Sequence, residues 1–246
     1  GSIGSDFFKF DPESLEFSEL HDSLAAYDWG DGFYSYNDSD GLVWFGLSHA
    51  GVLCLNQKTG EFCSYKNTPT KKYVNYPVTV GIIEDHSRNI WFATLGGGLT
   101  RFNKKTNNFY SYTPKAGIQG KISTSQTIGL CVDKQGNIWC GSYDGGVNMR
   151  PKWSKNIRLH RQKQDEKKSI GYGVVDDLCE DADGHLWVVS SGGGLSKISS
   201  DFNDAIHMSS SGQVPFNDKW YQAVERDRDN NLWFCGGRAS FMDWRT

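Results

Sequence analysis

Carboxylates are the first residues in this chain that could do chemistry. Asp38/Asp40, Asp181/Asp183 and Asp227/Asp229 form Asp-x-Asp pairs, a spacing that invites calcium. A helix-loop-helix calcium site needs further oxygen ligands and a Glu at its last loop position. The twelfth residue counted from Asp181 is Gly192, and from Asp227 it is Arg238. The pairs therefore read as turns, and no metal is expected. Asp176 and Asp177 raise a second chemistry, glycoside hydrolysis by two carboxylates set ~5–5.5 Å or ~6.5–9.5 Å apart across a sugar. Neighbouring strand residues point to opposite faces, so at most one of these two can face a channel. Asp31, Asp144 and Glu225 are further candidates, with no spacing that selects them. The six His residues occupy non-equivalent positions, and no G-x-S-x-G nucleophile motif occurs. The expected reading is binding rather than catalysis, with no catalytic residue and no cofactor assigned.

Aromatic side chains are the other resource. Their rings offer flat apolar faces with a polar edge, which suits stacking on a pyranose while Asp, Gln or Arg fixes its hydroxyls. Whether such residues can meet depends on the elements that hold them.

Those elements repeat. Trp44, Trp91, Trp139, Trp187 and Trp233 recur at intervals of 47, 48, 48 and 46 residues, each with an Asp six places earlier: Asp38, Asp85, Asp133, Asp181 and Asp227. A fixed period of about 40–50 residues marks a repeat architecture. The copy from Thr79 to Tyr112 has four short apolar runs, parted by an Asp-x-x-x-Asn turn, glycines 96–98 and Lys104-Lys105-Thr106-Asn107. Runs rich in Val, Ile, Phe, Tyr and Trp between Gly/Asn/Asp clusters read as an antiparallel meander. Four strands at this period make a β-propeller blade. The fold class is all-β, a propeller of four-stranded antiparallel blades in about five repeats, at 29–74, 77–120, 125–165, 172–215 and 219–246.

The ends leave two readings open. Residues 7–20 align with third and fourth strands and could complete the last blade of a five-bladed ring. Phe241–Arg245 would then duplicate the third strand, which suggests the second reading, a segment of a larger propeller; 246 residues at this period fit either five blades or a segment,. One domain spanning 1–246 is expected. With 37% hydrophobic and 14% aromatic residues the chain can build a sizeable core,. A net charge of −3 carries no nucleic-acid signature. No apolar run approaches the ~18 residues of a membrane span, and no secretory leader is visible. Cys131, Cys140, Cys179 and Cys235 replace apolar strand residues and read as buried free thiols. Cys54 and Cys63 pair across a hairpin, where a disulfide would close a short loop and stabilise little. A basic run, Lys152, Lys155, Arg158, Arg161, Lys163, Lys167 and Lys168, reads as a solvated outer strand, with an acidic partner as the alternative,.

In a blade, the loop from second to third strand and the loop into the next blade lie on one face. The first set offers His49, Leu95, Tyr143, Asp144, Ser191 and Arg238. The second offers Trp29, Asp31, Tyr73, Tyr76, Gln126, Tyr172, Trp220 and Tyr221. From these, Trp29, His49, Tyr76, Tyr143, Asp144, Tyr172, Trp220, Tyr221 and Arg238 form the candidate ligand mouth, a concave aromatic surface with a few polar orienters.

The stretches VTVGIIEDHSRNIWFATLGGGLTRFNKKTNNFYSY, TIGLCVDKQGNIWCGSYDGGVNM and VVDDLCEDADGHLWVVSSGGGLSKI resemble two-component regulator propeller repeats. The first and last copies depart from the pattern, with His49-Ala50-Gly51 and Arg238-Ala239-Ser240 in place of the triple Gly. The resemblance implies an extracytoplasmic sensor region, periplasmic or extracellular, that binds a small ligand, often an oligosaccharide, for transcriptional control. It also implies a homodimer formed through further domains, with neither nucleic acid nor a membrane segment engaged by this part. The alternatives are a propeller glycosidase or lyase, and a protein-interaction scaffold.

Overall fold

The computed structural model describes residues 8–19, 32–49, 51–65, 74, 78–115, 121–144, 146–161, 169–208, 221–236 and 240–242. A hairpin comes first, β1 (Phe8–Asp11) and β2 (Glu16–Glu19), and five antiparallel sheets follow. Blade 1 is β3 (Gly32–Asn37), β4 (Leu42–Leu47), β5 (Val52–Asn56) and β6 (Phe62–Tyr65). Blade 2 is β7 (Thr79–Glu84), β8 (Asn89–Thr94), β9 (Gly98–Asn103) and β10 (Asn108–Tyr112). Blade 3 is β11 (Thr127–Val132), β12 (Ile138–Ser142), β13 (Val147–Arg150) and β14 (Arg158–His160). Blade 4 is β15 (Val174–Glu180), β16 (Leu186–Ser191), β17 (Gly194–Ile198) and β18 (Ala205–His207). Blade 5 is β19 (Tyr221–Arg226), β20 (Leu232–Gly236) and β21 (Ser240–Met242). Each blade is a meander paired in chain order, and the innermost strands of successive blades touch. The chain is a β-propeller.

The recurring Asp and Trp are joined directly. The indole Nε1 donates to the Asp Oδ2 in all five blades, at 2.9 Å for Trp44–Asp38, 2.8 Å for Trp91–Asp85 and 2.7 Å for Trp139–Asp133. The distances are 2.8 Å for Trp187–Asp181 and 2.9 Å for Trp233–Asp227. Meanwhile Oδ1 of Asp38, Asp85, Asp181 and Asp227 accepts the turn amides two and four residues on, as at Ser87 and Asn89 for Asp85, and that of Asp133 accepts the amide four residues on. One carboxylate thus ties the β-turn to the strand that follows it, and both oxygens are engaged. That is the physical content of the six-residue spacing, and it accounts for the Asp-x-Asp pairs as turns.

Each Trp then packs on the next blade. Trp44 lies with Ile82, Phe92 and Phe102; Trp91 with Ile138 and Cys140; Trp139 with Val175, Leu186 and Val188; Trp187 with Tyr221 and Phe234. A buried Trp removes about 150–250 Å² from water, worth roughly 4–6 kcal/mol at about 25 cal/mol per Å². Trp233 is the exception at 51% exposed. Cys235, expected to be buried, is exposed. Cys131 and Cys140 are buried, Cys179 is partly so, and Cys54 and Cys63 are free. Among the described residues β2 pairs only with β1, and blade 5 has three strands.

Every innermost strand carries a register break, between Gly32/Tyr34, Thr79/Gly81, Thr127/Leu130, Val175/Asp177 and Tyr221/Ala223. Such bulges bend a strand and increase its twist. Beside them the blades meet backbone to backbone. A Cβ on Gly81 would stand 2.6 Å from the Ile128 carbonyl oxygen, and one on Gly129 would stand 2.7 Å from that of Asp176. Glycine is required there by the closeness of the next blade.

Candidate functional site

The reversals after the Trp strands and the loops entering the blades share one face, as their direct bonds establish. Leu95 pairs with Gln126 in an isolated bridge. The Gln126 carbonyl accepts the Tyr143 amide at 3.0 Å, so this residue links the reversals of blades 2 and 3. The Ser125 carbonyl accepts the Gly96 and Gly98 amides at 2.9 and 2.7 Å. Beside it the Thr124 hydroxyl donates to Asp144 Oδ2 at 2.7 Å, fixing that carboxylate. Tyr143 stands 54% exposed on the reversal itself. In blade 4, Tyr172 is 50% exposed, with its Cε2 3.6 Å from the Cβ position of Gly192. Leu95, Gln126, Tyr143 and Asp144 therefore form one continuous strip, and Tyr172 lies against the next reversal.

The other candidates divide. His49 is exposed, with Nδ1 2.7 Å from the Ser48 hydroxyl. Trp29, Tyr76, Trp220 and Arg238 lie outside the described residues. Tyr221 corrects the sequence reading. It was expected in the mouth, but it begins β19 and is 1% exposed, packed with Phe234 at 6.0 Å between ring centroids. Its partner across the ladder is Gly236, three residues past the Trp, the register held by buried Thr79 and Thr127 in blades 2 and 3. That position points between blades.

The axis side of the blades holds the remaining carboxylates. Asp176 Oδ2 accepts the Ser191 amide at 2.7 Å. Asp177 occupies the register of Gly81, opposite the residue two past the Trp. Instead of a steric contact it makes a polar one: Oδ2 accepts the Val224 amide of blade 5 at 3.0 Å, and Oδ1 accepts the Leu178 amide at 2.9 Å. Burial pushes the Asp177 carboxyl up to about 6, against the two amide bonds and with help from Glu225 and Asp176. Burial likewise raises Asp176, opposed by its bonds to Ser191. Tyr34 of blade 1 is raised by burial and by Asp177 and Glu225. Sequence reasoning passed over Tyr34. Its signal was a large side chain at the register where blades 2 and 3 have Gly.

A third cluster joins blades 1 and 2. Asp38, Asp40 and Glu84 bring their oxygens within 4.8 Å of one another, a grouping that could hold a cation. The Lys104 ammonium fills that role, at 3.0, 2.6 and 2.6 Å from the three carboxylates, while Arg88 pairs with Asp40. Within the basic run, Lys152 lies 4.8 Å from the ring centre of Trp153, which is fully out in solvent. No helix among the described residues is long and apolar enough to cross a membrane.

With this geometry in place, the comparisons with known proteins can be weighed. Residues 169–192, in blade 4, match the family model for the two component regulator propeller. The repeat read from the sequence there is a repeat of that kind. No curated protein matches the chain. Among solved structures it is similar to the extracellular domain of a hybrid two component system from B. thetaiotaomicron, with 16% identity and a TM-score of 0.75 over 88% of this chain and 29% of that one. A one component system domain from the same organism gives 18% identity and 0.73 over 92% and 31%. Virginiamycin B lyase from Staphylococcus aureus gives 16% identity and 0.66 over 91% and 73%. At these identities the likeness fixes the fold, and the chain spans about three tenths of the length of the first two structures.

Proposed function

We propose that this propeller is part of an extracytoplasmic sensor of a two-component-type regulator, and that it recognises an oligosaccharide on the face built from the blade reversals. The observation that carries the reading is the strip Leu95–Gln126–Tyr143–Asp144, with an exposed ring beside a carboxylate already oriented by Thr124. Stacking of a sugar on Tyr143 and Tyr172 supplies apolar contact at low conformational cost, and Asp144 accepts hydroxyl donors. The regulator-propeller repeat in blade 4 and the likeness to extracellular domains of two component systems support the location and the role. Recognition without chemistry fits the carboxylates by the axis, since Asp176 and Asp177 are both bonded to backbone amides.

A thermal-shift screen against a panel of oligosaccharides tests this, because a ligand that binds only the folded state raises its midpoint. A saturable shift with one glycan, lost in Tyr143→Ala and weakened in Tyr172→Ala, is expected. A shift that survives both substitutions would move the site elsewhere, and no shift with any glycan would remove the saccharide reading.

A further inference from the structure

The repeats allow one blade to be compared with another, position by position. Across each blade the Trp faces a residue on the third strand and then one on the fourth. In blade 2 the row is Trp91, Arg101, Tyr110; in blade 3 it is Trp139, Met149, Arg158; in blade 4 it is Trp187, Lys197, Ile206. Long side chains thus cover the indole. The Arg101 guanidinium lies 5.9 Å from the Trp91 ring centre and 4.6 Å from that of Tyr110, and Lys197 Nζ lies 5.0 Å from Trp187. Both are cation–π contacts, favourable because the ring face is electronegative.

Blade 1 breaks the rule. Its row is Trp44, Cys54, Cys63, two short side chains where the sister blades place long ones. The aromatic partner is still there: Tyr65 stacks on Trp44 at 5.8 Å, as Tyr112 stacks on Trp91 at 5.4 Å. What is left is a cavity of about 400 Å³ between blades 1 and 2, with Trp44, Cys54 and Cys63 on its wall, half-buried Tyr65 as its accessible ring, and Glu61 at its edge. It lies at the strand ends opposite the blade reversals, near the turns at Asn56–Glu61 and Lys104–Asn107, so it is separate from the saccharide face. Asp38, Asp40 and Glu84 beside it are engaged by Lys104 and Arg88, and Glu61 at its edge accepts the Thr59 hydroxyl at 3.1 Å. Lys104 reaches the cavity but has its three protons directed at three carboxylates, so it offers nothing to an anion.

We propose that this wedge is a binding site for an organic cation, a guanidinium or alkylammonium group that takes the place filled by Arg101 and Lys197 in blades 2 and 4. The cation packs against Tyr65, the ring that the cavity leaves accessible, and Glu61 supplies the counter-charge. Such a group can come from a free amine or from an Arg or Lys side chain of a peptide.

The test is a titration of the whole protein by ligand-observed NMR and calorimetry with agmatine, with an acetylated arginine amide, and with an acetylated citrulline amide, the uncharged urea analogue of the arginine amide. Agmatine or the arginine amide should bind at least about tenfold more tightly than the urea analogue, the range of a desolvated cation–π contact. Binding of agmatine assigns the site to a free amine, and binding of the arginine amide alone assigns it to a peptide side chain. Cys54→Arg, which copies blade 2, should abolish binding, and Cys54→Met, which copies blade 3, serves if the first variant fails to fold. Glu61→Gln should weaken binding severalfold. Equal binding of the urea analogue, binding untouched by the filled cavity, or no binding of either cation would overturn the assignment.

Discussion

Asp133→Ala should damage this protein far more than Asp227→Ala, although Asp227 makes more hydrogen bonds. Asp133 accepts three, from the Asn137 amide, Asn137 Nδ2 and Trp139 Nε1, at 2.8, 2.8 and 2.7 Å. Asp227 accepts four, from the Asp229 and Asn231 amides, Asn231 Nδ2 and Trp233 Nε1, at 2.9, 2.8, 3.0 and 2.9 Å. Counting contacts predicts the larger loss at Asp227. Burial predicts the reverse. Asp133 is 1% exposed and Trp139 0%, so truncation strands donors that water cannot reach, whereas Trp233 is 51% exposed and its indole can turn to solvent. A buried donor left unpaired costs about 1–3 kcal/mol. Two of them, the indole and the Asn137 amide group, put Asp133→Ala at about 3 kcal/mol. For a chain of this length that is a fall in midpoint of about 6–12 °C, at about 2–4 °C per kcal/mol. Asp227→Ala should move the midpoint by less than a third as much. Thermal and urea unfolding followed by circular dichroism and tryptophan fluorescence would measure both. Equal losses, or a greater loss at Asp227, would refute the argument that desolvation rather than bond count sets the worth of the Asp–Trp clasp.

Asp177 gives a pH test with a definite sign. Its folded value of about 6 lies above the 3.8 of an ordinary Asp, so its stabilising effect is full below pH 3.8 and is lost as pH rises through 6. Asp177→Asn should flatten the urea midpoint between pH 4 and 6 by at most about 3 kcal/mol, and an unchanged slope would show that another group titrates. Gly129→Ala forces a Cβ to 2.7 Å from the Asp176 carbonyl oxygen and 2.8 Å from Asp177 Cα, an overpacking worth about 1–3 kcal/mol or more. Gly41→Ala has nothing within 4 Å but φ of +79°, which costs about 1 kcal/mol. Thermal midpoints in the opposite order would contradict the backbone contact. Lys104→Met leaves Asp38, Asp40 and Glu84 without their shared cation and should lose about 3 kcal/mol at pH 7. Against burial, bonds from Trp44, Leu42 and Lys104 hold the Asp38 carboxyl below its ordinary 3.8. The gap to the parent protein should therefore narrow as pH falls below 3.8, and a gap that widens there would sink the ion-pair account.

Blades were legible because their determinants are local. An Asp six residues before each Trp, a small-residue reversal after it and alternating apolar strands are all read within one repeat, and blades 1 to 4 form their four strands accordingly. The indole–carboxylate bond was harder to see, since the turn must fold before the two side chains meet. Tyr221 was misplaced for a related reason. The bulge between Tyr221 and Ala223 shifts which residues face the neighbouring blade, and nothing in a single strand announces it. Trp233 and Cys235 are exposed although their strand reads like its sisters, so burial at these positions is not encoded by the strand alone. The strip from Leu95 to Asp144 was half legible: the residues were named, but the bridge through Gln126 that unites two blades was not.

In a repeat protein each position has sister positions that act as internal controls, since each unit packs mainly on its neighbours. A residue shared by all blades reports on the architecture, and a residue that departs reports on something local. By that standard the repeated Asp and Trp, the most conspicuous side chains in the sequence, are scaffold. The departures lie elsewhere: Asp177 at the register of a Gly, Tyr34 at the same register in blade 1, and Cys54 with Cys63 where long side chains cover the indole. Two of them involve a cost that uniform repeats would avoid, a buried carboxyl at Asp177 and an unfilled cavity beside Cys54 and Cys63. Asp177 recovers part of its cost through the Val224 amide. The cavity beside Trp44 has no such return within the described residues, which is why it, rather than the axis, is the departure that calls for a ligand.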